Sequence, residues 1–495
     1  MNTSPAAAAR NAVPAPPSSG AGAAQRTGVC GRCGETGRPG TPERKAADGS
    51  GPGGWTRPES GRFRARRVSG SLYPRTPEEV ADIVRATAAR AADGTHTPLH
   101  LVSTGRNWGL GSASPVRDGV TVLNLSALDR IREVDTTRGY AVVEPGVTHG
   151  ALADRLAGSA RIVNLTGASQ HTSVVGNILE RGVGLHRVRA DDLAGLELVL
   201  ADGTFARTGW WPQDEGSAAV QPHGRGPSLN HLFTQSGLAA VTAAVVRLPA
   251  RPQAVRVLPL VFTDDRLAAA VDTVREWTAQ GLAPATTKIY NPLAAGTYGV
   301  RGAWLAHICL TGDAELVRVR ERLVAERAAV PGSPFTIAPA HAADTYVHRA
   351  YAGDPDPEDT LFIRKTGHCA SCLDNARGLL MFLPIVPLDG QAVRHAAEMI
   401  QNCLHGRTAP PGVTMNILDS DTVDHVVTLA FDPGTRDAVR DAHRTLDQLH
   451  TAFGAEGYHP YRPDIDHPFR PSATALHRRL GEALDPHEVF ASGRY

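Results

Sequence analysis

The segment Ser103 to Ser112, STGRNWGLGS, limits what this chain can become more than any other. It continues a short apolar run, Pro98 to Ser103, that reads as a strand, and it places glycines at 105, 109 and 111. Glycine after a strand lets the backbone approach an anionic group, so that peptide N–H groups donate to its oxygens. The spacing is neither GxGxxG nor GxxxxGK(S/T), so a nicotinamide-type dinucleotide fold and a nucleotide-hydrolysing loop are both disfavoured. Spacing alone leaves a pyrophosphate cradle and a glycine-rich surface turn open. A second segment, Thr166 to Gly184 (TGASQHTSVVGNILERGVG), crowds Asn177, Glu180, Arg181, Gly182 and Gly184 between apolar stretches. Such a cluster must run close to a polar ligand or to another backbone.

At 495 residues the chain exceeds what one core usually organises, so two or more domains are expected. A formal net charge of +1 offers no basic stripe for a nucleic acid. No apolar run is long enough to span a bilayer and the N-terminus lacks the apolar core of a secretory signal, so no membrane partner and cytoplasmic residence are expected. Residues 1–60 are rich in Ala, Gly, Pro, Ser and Arg and read as a disordered tail. Two pairs of cysteines have CxxC spacing, Cys30/Cys33 and Cys369/Cys372. Four thiolates suit structural zinc. The pairs lie far apart in sequence, however, and the first falls in the tail, so incidental thiols or a weak redox pair are favoured and no metal is expected.

Local signals place the elements. Thr76-Pro77-Glu78-Glu79 is a helix start, with Thr76 as N-cap, Pro77 in the first turn and Glu79 completing a capping box. Strands are expected over Val120 to Leu125 and Tyr140 to Val143, and a helix over Val147 to Leu156. Leu196 to Leu200 and Thr204 to Arg207 flank Ala201-Asp202-Gly203 as a hairpin. A helix around Leu229 to Ser236 and a strand Val241 to Leu248 precede the boundary marked by Pro249 and Pro252. Beyond it, amphipathic helices are expected over Asp265 to Gln280, Ala314 to Ala329, Gln391 to Leu404 and Thr435 to Phe453. Strands Leu379 to Val386 and Val426 to Phe431 lie between them, a pattern of α+β type.

GRNWGLG, VVEPGVT, SVVGNILERGVG, LELVLADGTFARTG, LFTQSGLAAVT and the terminal LDPHEVFASGRY occur in one order. Together they resemble the vanillyl-alcohol oxidase/p-cresol methylhydroxylase flavoprotein family, and its 4-alkylphenol oxidase branch in particular. The resemblance implies FAD as cofactor. It also implies a two-part FAD-binding domain of the p-cresol methylhydroxylase type over residues 61–254. An α+β cap domain with an antiparallel sheet would follow over 255–455, and the chain would return to the FAD domain over 456–495. Carried over position by position, Gly105, Arg106, Asn107, Trp108, Gly109 and Gly111 would line the FAD pyrophosphate. Ser173, Gly176, Asn177, Glu180, Gly182 and Val183 would follow the cofactor, with Val241 a later contact.

The same resemblance implies a substrate site. GYHPYRPD is similar to the family's Tyr-Arg pair, so Tyr461 and Arg462 would bind a phenolate or carboxylate; the alternative is an Arg462 salt bridge with Asp464 or Asp466. Leu110 stands where the branch has a second Tyr, and Ala168 where it has an aspartate beside flavin N5. His171, three residues on, is the candidate replacement acid or base, and His186 a weaker one. Covalent FAD attachment through His425, in VDHVVTLAFD, stays open against a strand-start histidine, because strand register decides which way it points. The expected activity is FAD-dependent oxidation of a small phenolic, alcohol or amine substrate by hydride transfer to flavin N5, in specialised metabolism, with oxygen or another electron acceptor. A homodimer is a compatible assembly. The alternative is a flavin-containing binding protein without turnover.

Overall fold

The computed structural model describes residues 59–212, 219–339, 341–404, 410–468, 474–491 and 493–495. All but the last two residues of the expected tail fall outside these. Those two, Glu59 and Ser60, are packed rather than free: Ser60 is fully buried, Leu379 donates its N–H to the Ser60 carbonyl at 2.9 Å, and the Gly109 N–H donates to Ser60 Oγ at 3.1 Å.

Two small sheets form the first half. β1 (Val68–Leu72), β2 (Leu99–Val102) and β3 (Val120–Asn124) make a parallel sheet in the order β1-β3-β2. β1 and β2 flank β3 in parallel, and α1 (Pro77–Ala92) crosses between them. Its start follows the sequence signal: the Glu79 N–H donates to Thr76 Oγ1, while Glu79 Oε2 accepts from the Arg75 N–H one residue earlier than a strict capping box. β4 (Ile131–Asp135), β5 (Tyr140–Val143), β6 (Leu193–Val199), β7 (Phe205–Gly209) and β8 (Ala240–Arg247) make an antiparallel sheet ordered β4-β5-β8-β6-β7. Helices α2 (His149–Arg155) and α3 (Val174–Leu179) lie between β5 and β6 in sequence and pack on this sheet. The expected hairpin is β6–β7, with Val199 opposite Phe205. The helix expected over 229–236 is only a 3₁₀ turn, Asn230–Phe233.

Sheet membership changes between Arg247 and Ala254. β9 (Ala254–Phe262), β10 (Lys288–Tyr290), β11 (Trp304–Gly312), β12 (Thr336–Ile337), β13 (Gly378–Phe382), β14 (Ile385–Pro387), β15 (Gly412–Ile417) and β16 (Thr422–Phe431) make one antiparallel sheet. Its order is β12-β9-β11-β10-β15-β16-β13, with β14 also paired to β16. Alternation along each strand gives it two faces. Ile289, Ile308, Met415, Val423, Val427 and Leu429 face a core formed with α4 (Leu267–Ala279), α6 (Ala314–Ala328), α10 (Gly390–Cys403) and α11 (Arg436–Ala455). These are the four amphipathic helices read from the sequence. The short α5 (Pro292–Ala295) joins β10 to β11.

The opposite face looks toward the first half. Tyr290, Leu305 and Cys309 share one core cluster with Val241, Ala244 and Ile178. Three helices between β12 and β13 escaped the sequence reading: α7 (Ala342–Tyr351), α8 (Asp356–Thr366) and α9 (Leu373–Ala376). The chain ends where it began. After α12 (Thr474–Leu484), Phe490 bridges Leu99 in parallel, and Leu99 exchanges backbone hydrogen bonds of 2.8 Å with Val489 and Ala491.

Candidate active site

A cavity of about 420 Å³ opens between the two halves. Its floor comes from the two segments singled out in the sequence and from β8; its roof comes from the inward face of the eight-stranded sheet; α8 and the C-terminal residues close its sides.

Three glycines shape the first segment, with φ of +64°, +79° and +68° at Gly105, Gly109 and Gly111, where other residues are strained. Gly105, Arg106, Asn107 and Trp108 line the cavity; Gly109 and Gly111 do not. A Cβ on Gly109 would come within 2.9 Å of Met381 Cγ, and one on Gly111 within 2.8 Å of Ile465. These two glycines therefore let the loop pass under β13 and the C-terminal segment. Met381 N–H donates to the Gly109 carbonyl at 3.0 Å, and Ile465 N–H to the Leu110 carbonyl at 3.2 Å, which hold the loop there. Trp108 packs on Phe362 of α8 with ring centroids 4.5 Å apart.

In the second segment Ser173, Gly176, Asn177, Glu180, Gly182 and Val183 all line the cavity, as does Val241 on β8. Ser173 caps α3 by accepting from the Gly176 N–H at 2.9 Å. Gly176 permits close approach: its Cβ would lie 2.5 Å from Ser103 Oγ. Gly182 and Gly184 make room for Asn177 and Asn164, each within 2.4 Å of the Cβ it lacks.

Glu180 has a role the sequence did not disclose. It accepts from Arg462 Nε at 2.8 Å, from Arg494 at 3.3 Å and from the Tyr495 hydroxyl at 2.5 Å. Burial alone would raise its pKa, but the two guanidiniums and the phenol outweigh that and hold the carboxyl below its ordinary value. The alternative salt bridge of Arg462 with Asp464 or Asp466 is thereby corrected: its partner comes from the other half of the molecule. Asp464 instead accepts from His450 and His467 at 3.0 Å, and Asp466 pairs with Arg66 at 2.9 Å. Tyr461 lines the cavity beside Arg462; burial, with the Asp424 charge nearby, drives its phenol far above the ordinary range, so it is a permanent donor.

The roof carries a row of three polar residues. Lys288 on β10 stands opposite Asn416 on β15, which stands opposite Asp424 on β16. All three line the cavity. Asn416 Nδ2 donates to Asp424 Oδ2 at 2.9 Å. Burial pushes the Asp424 carboxyl up to about 7, against the opposing pull of that hydrogen bond and of the Lys288 charge. The Lys288 ammonium reaches down to the floor, 3.1 Å from where a Cβ on Gly167 would sit.

Two further expected residues, both histidines, are not brought to the cavity. His171 is over a third exposed, its Nε2 lies 3.5 Å from Asp359 Oδ2, and it does not line the cavity. Ser169 and Gln170 bond the same carboxylate and fix that orientation. His425 stands opposite Met415 on the helix-covered face, fully buried, with neither ring nitrogen bonded and burial lowering it to about 4. The strand register that sends Asp424, Val426 and Thr428 into the cavity sends His425 out of it. His186 bonds the Tyr351 carbonyl at 3.0 Å and is likewise structural. Leu110 and Ala168 do line the cavity.

Residues 68–209 match the FAD binding domain family. The chain carries an FAD-binding domain in a p-cresol methylhydroxylase fold. A structure of p-cresol methylhydroxylase with substrate bound superposes with a TM-score of 0.78 at 23% identity, over 88% of this chain and 90% of that one. This flavoprotein is 28% identical to 1'-carboxy-chondrochloren decarboxylase of Chondromyces crocatus, over 87% of its own length and 90% of the relative's. It is 25% identical to the 4-cresol dehydrogenase [hydroxylating] flavoprotein subunit of Pseudomonas putida, over 87% and 88%. The relatives are enzymes, which does not favour the sequestering alternative. The cavity fits the cofactor. Five cationic side chains line it, Arg106, Lys288, Lys365, Arg377 and Arg462, against the two carboxylates Glu180 and Asp424, an excess that suits a dianionic pyrophosphate. Trp108 Nε1, Thr172 Oγ1 and Asn177 Oδ1 are buried along its wall without a protein partner. Among the described residues no helix is long and apolar enough to cross a membrane.

Proposed function

We propose that this flavoprotein is a cytoplasmic oxidoreductase of the vanillyl-alcohol oxidase type, acting on a small phenolic substrate that also carries an acidic group. The observation that supports it is the convergence of Tyr461, Arg462 and Asp424 on one cavity. FAD, when bound along the glycine-rich floor, supplies the two-electron acceptor; oxygen or another acceptor renews it. Gly105 to Trp108, Ser173, Gly176, Asn177, Glu180, Gly182, Val183 and Val241 are its proposed contacts.

Tyr461 stays protonated throughout the working pH range and donates to the substrate's anionic oxygen. Arg462 adds positive charge there while Glu180 holds its guanidinium in place. Asp424 takes the role first assigned to His171. With a carboxyl near 7 it accepts a proton from the substrate and returns it to solvent, as general-base catalysis requires. Asn416 fixes its rotamer by holding Oδ2, and Asp424 Oδ1 is left without a protein partner. Arg377 and Lys365, on the α8 side, balance a second acidic group, a reading supported by the carboxylated substrate in the name of the Chondromyces crocatus relative.

The test is anaerobic bleaching of the flavin absorbance by a panel of 4-substituted phenols with and without a carboxylate, alongside simple alcohols and amines. Bleaching by carboxylated phenols first is expected. Protein that stays colourless after adding FAD, or flavin bleached by alcohols and amines but by no phenol, would remove the proposal.

A further inference from the structure

One end of the five-stranded sheet carries a pocket of about 500 Å³ that shares no lining residue with the cofactor cavity. Four arginines line it and, among the described residues, no carboxylate does. Arg138 comes from the turn between β4 and β5, and Arg161 from the chain after α2. Arg187 follows the second glycine segment, and Arg247 is the last residue of β8.

The backbone holds these side chains in place without neutralising them. Arg161 donates to the carbonyls of Thr136 at 2.9 Å, Thr137 at 3.1 Å and Leu248 at 3.3 Å. Gly139, at a φ of +78°, leaves it room: a Cβ there would lie 2.6 Å from Arg161 Cζ. Arg247 stands opposite Tyr140 on β5, and the Leu248 N–H donates to the Gly139 carbonyl at 2.8 Å, so strand register fixes its place beside that turn. Arg187 Nε donates to Asp192 Oδ1 at 2.6 Å, a carboxylate that Arg189 shares, and Arg138 lies 3.8 Å from Asp135. Neither Arg161 nor Arg247 has a carboxylate partner among the described residues. Another arginine-lined groove shows the contrast. There Arg130, Arg132 and Arg207 all pair with Glu144 or Glu197, at 2.8 to 3.3 Å.

We propose that the Arg138–Arg161–Arg187–Arg247 pocket binds the phosphate group of a small molecule, at a site separate from the cofactor cavity. Like charges gathered in a concave site focus the potential and raise the local concentration of anions. A phosphate monoester carries a charge of about −1.5 to −2 at neutral pH, which matches the two guanidiniums left without a carboxylate. The planar forks of arginine suit its oxygens. A pocket of this size holds a small ligand, whereas a nucleic acid calls for an extended basic stripe. The recognised group is the same in a free phosphate ion and in a phosphate ester.

Isothermal titration calorimetry on the full-length, FAD-loaded protein tests the proposal, with ionic strength held constant by sodium chloride. Loading with FAD keeps the probes out of the cofactor cavity. The probes are inorganic phosphate, glycerol 3-phosphate and, as a dicarboxylate, succinate. Saturable binding of both phosphates at one site per chain is expected; the tighter of the two tells the free ion from an ester as the source. Arg247→Gln and the more exposed Arg138→Gln should each weaken binding about tenfold, the scale of one charge-assisted hydrogen bond. Arg318→Gln, which removes an equal charge from α6 away from the pocket, should leave affinity unchanged. No saturable binding of either phosphate would overturn the proposal, as would succinate binding more tightly than both. Affinity retained in both pocket variants, or lost equally in Arg318→Gln, would overturn it too. None of these readouts depends on turnover.

Discussion

Asn416 and Asp424 face each other on neighbouring strands of the cavity roof, with Asn416 Nδ2 donating to Asp424 Oδ2 at 2.9 Å and Asp424 Oδ1 buried without a protein partner. A buried carboxyl held on one oxygen and unpartnered on the other is suited to carry a proton. Its neighbour Tyr461 cannot do so, because burial keeps the phenol protonated.

Asp424→Asn is therefore expected to lower turnover by on the order of 10²-fold. Wild-type turnover should rise with pH through about 7 as the carboxylate forms, and the variant should lack that limb. Stability moves the other way. The folded-state pKa is raised above the ordinary aspartate value of 3.8, so between there and about 7 the folded chain binds more protons than the unfolded one, and stability falls as pH rises. Above that window Asp424→Asn should melt at a higher temperature than wild type. A variant with an unchanged pH profile would exclude Asp424 from proton transfer.

Glu180→Gln leaves Arg462 and Arg494 without their shared counter-charge. Removing one partner from a buried ionic group costs roughly 3 kcal/mol, to be read from urea unfolding. The Michaelis constant for an anionic substrate should rise as well, because Arg462 loses the bond that orients it. A change in stability below about 0.5 kcal/mol, the scale of an ordinary surface substitution, would contradict the arrangement.

His171→Ala should leave turnover within about twofold of wild type, the ring being directed to Asp359 outside the cavity. Loss of the pH limb in this variant, rather than in Asp424→Asn, would restore the histidine to the mechanism.

His425→Ala should not alter how flavin is held. After acid precipitation, wild type and variant should divide their yellow colour between pellet and supernatant in the same way. Release of flavin by this substitution alone would mean that β16 is one residue out of register.

Gly111→Ala combines a left-handed φ of +68° with a Cβ only 2.8 Å from Ile465. Flavin content after purification should fall several-fold even where the protein remains folded, since backbone strain alone costs about 1–3 kcal/mol. Full loading would show that the first loop tolerates a shift.

Much of the fold was legible because its signals are local. The Thr76 cap, the turn at Asp202-Gly203 and the 3.6-residue stripes of α4, α6, α10 and α11 each declare themselves within a dozen residues. The helices α7 to α9 did not, because they are bounded and interrupted by prolines and glycines and pack partly on the first half of the chain. Their contribution to the cavity, through Phe362, Lys365 and Thr366, was hidden with them.

By itself the sequence determined that the chain carries an FAD-binding domain, and its motif order singled out the two glycine-rich segments and the Tyr461–Arg462 pair that line one cavity. Motif order carries that information because such backbones demand particular residues at particular steps. Only the tertiary structure decided which side chains reach the cavity. His425 and Asp424 are adjacent in sequence and point to opposite faces, since one step along a strand reverses the side chain. Glu180 and Arg462 are 282 residues apart and share a hydrogen bond. Those outcomes depend on register and on the packing of one half against the other, which no local pattern encodes.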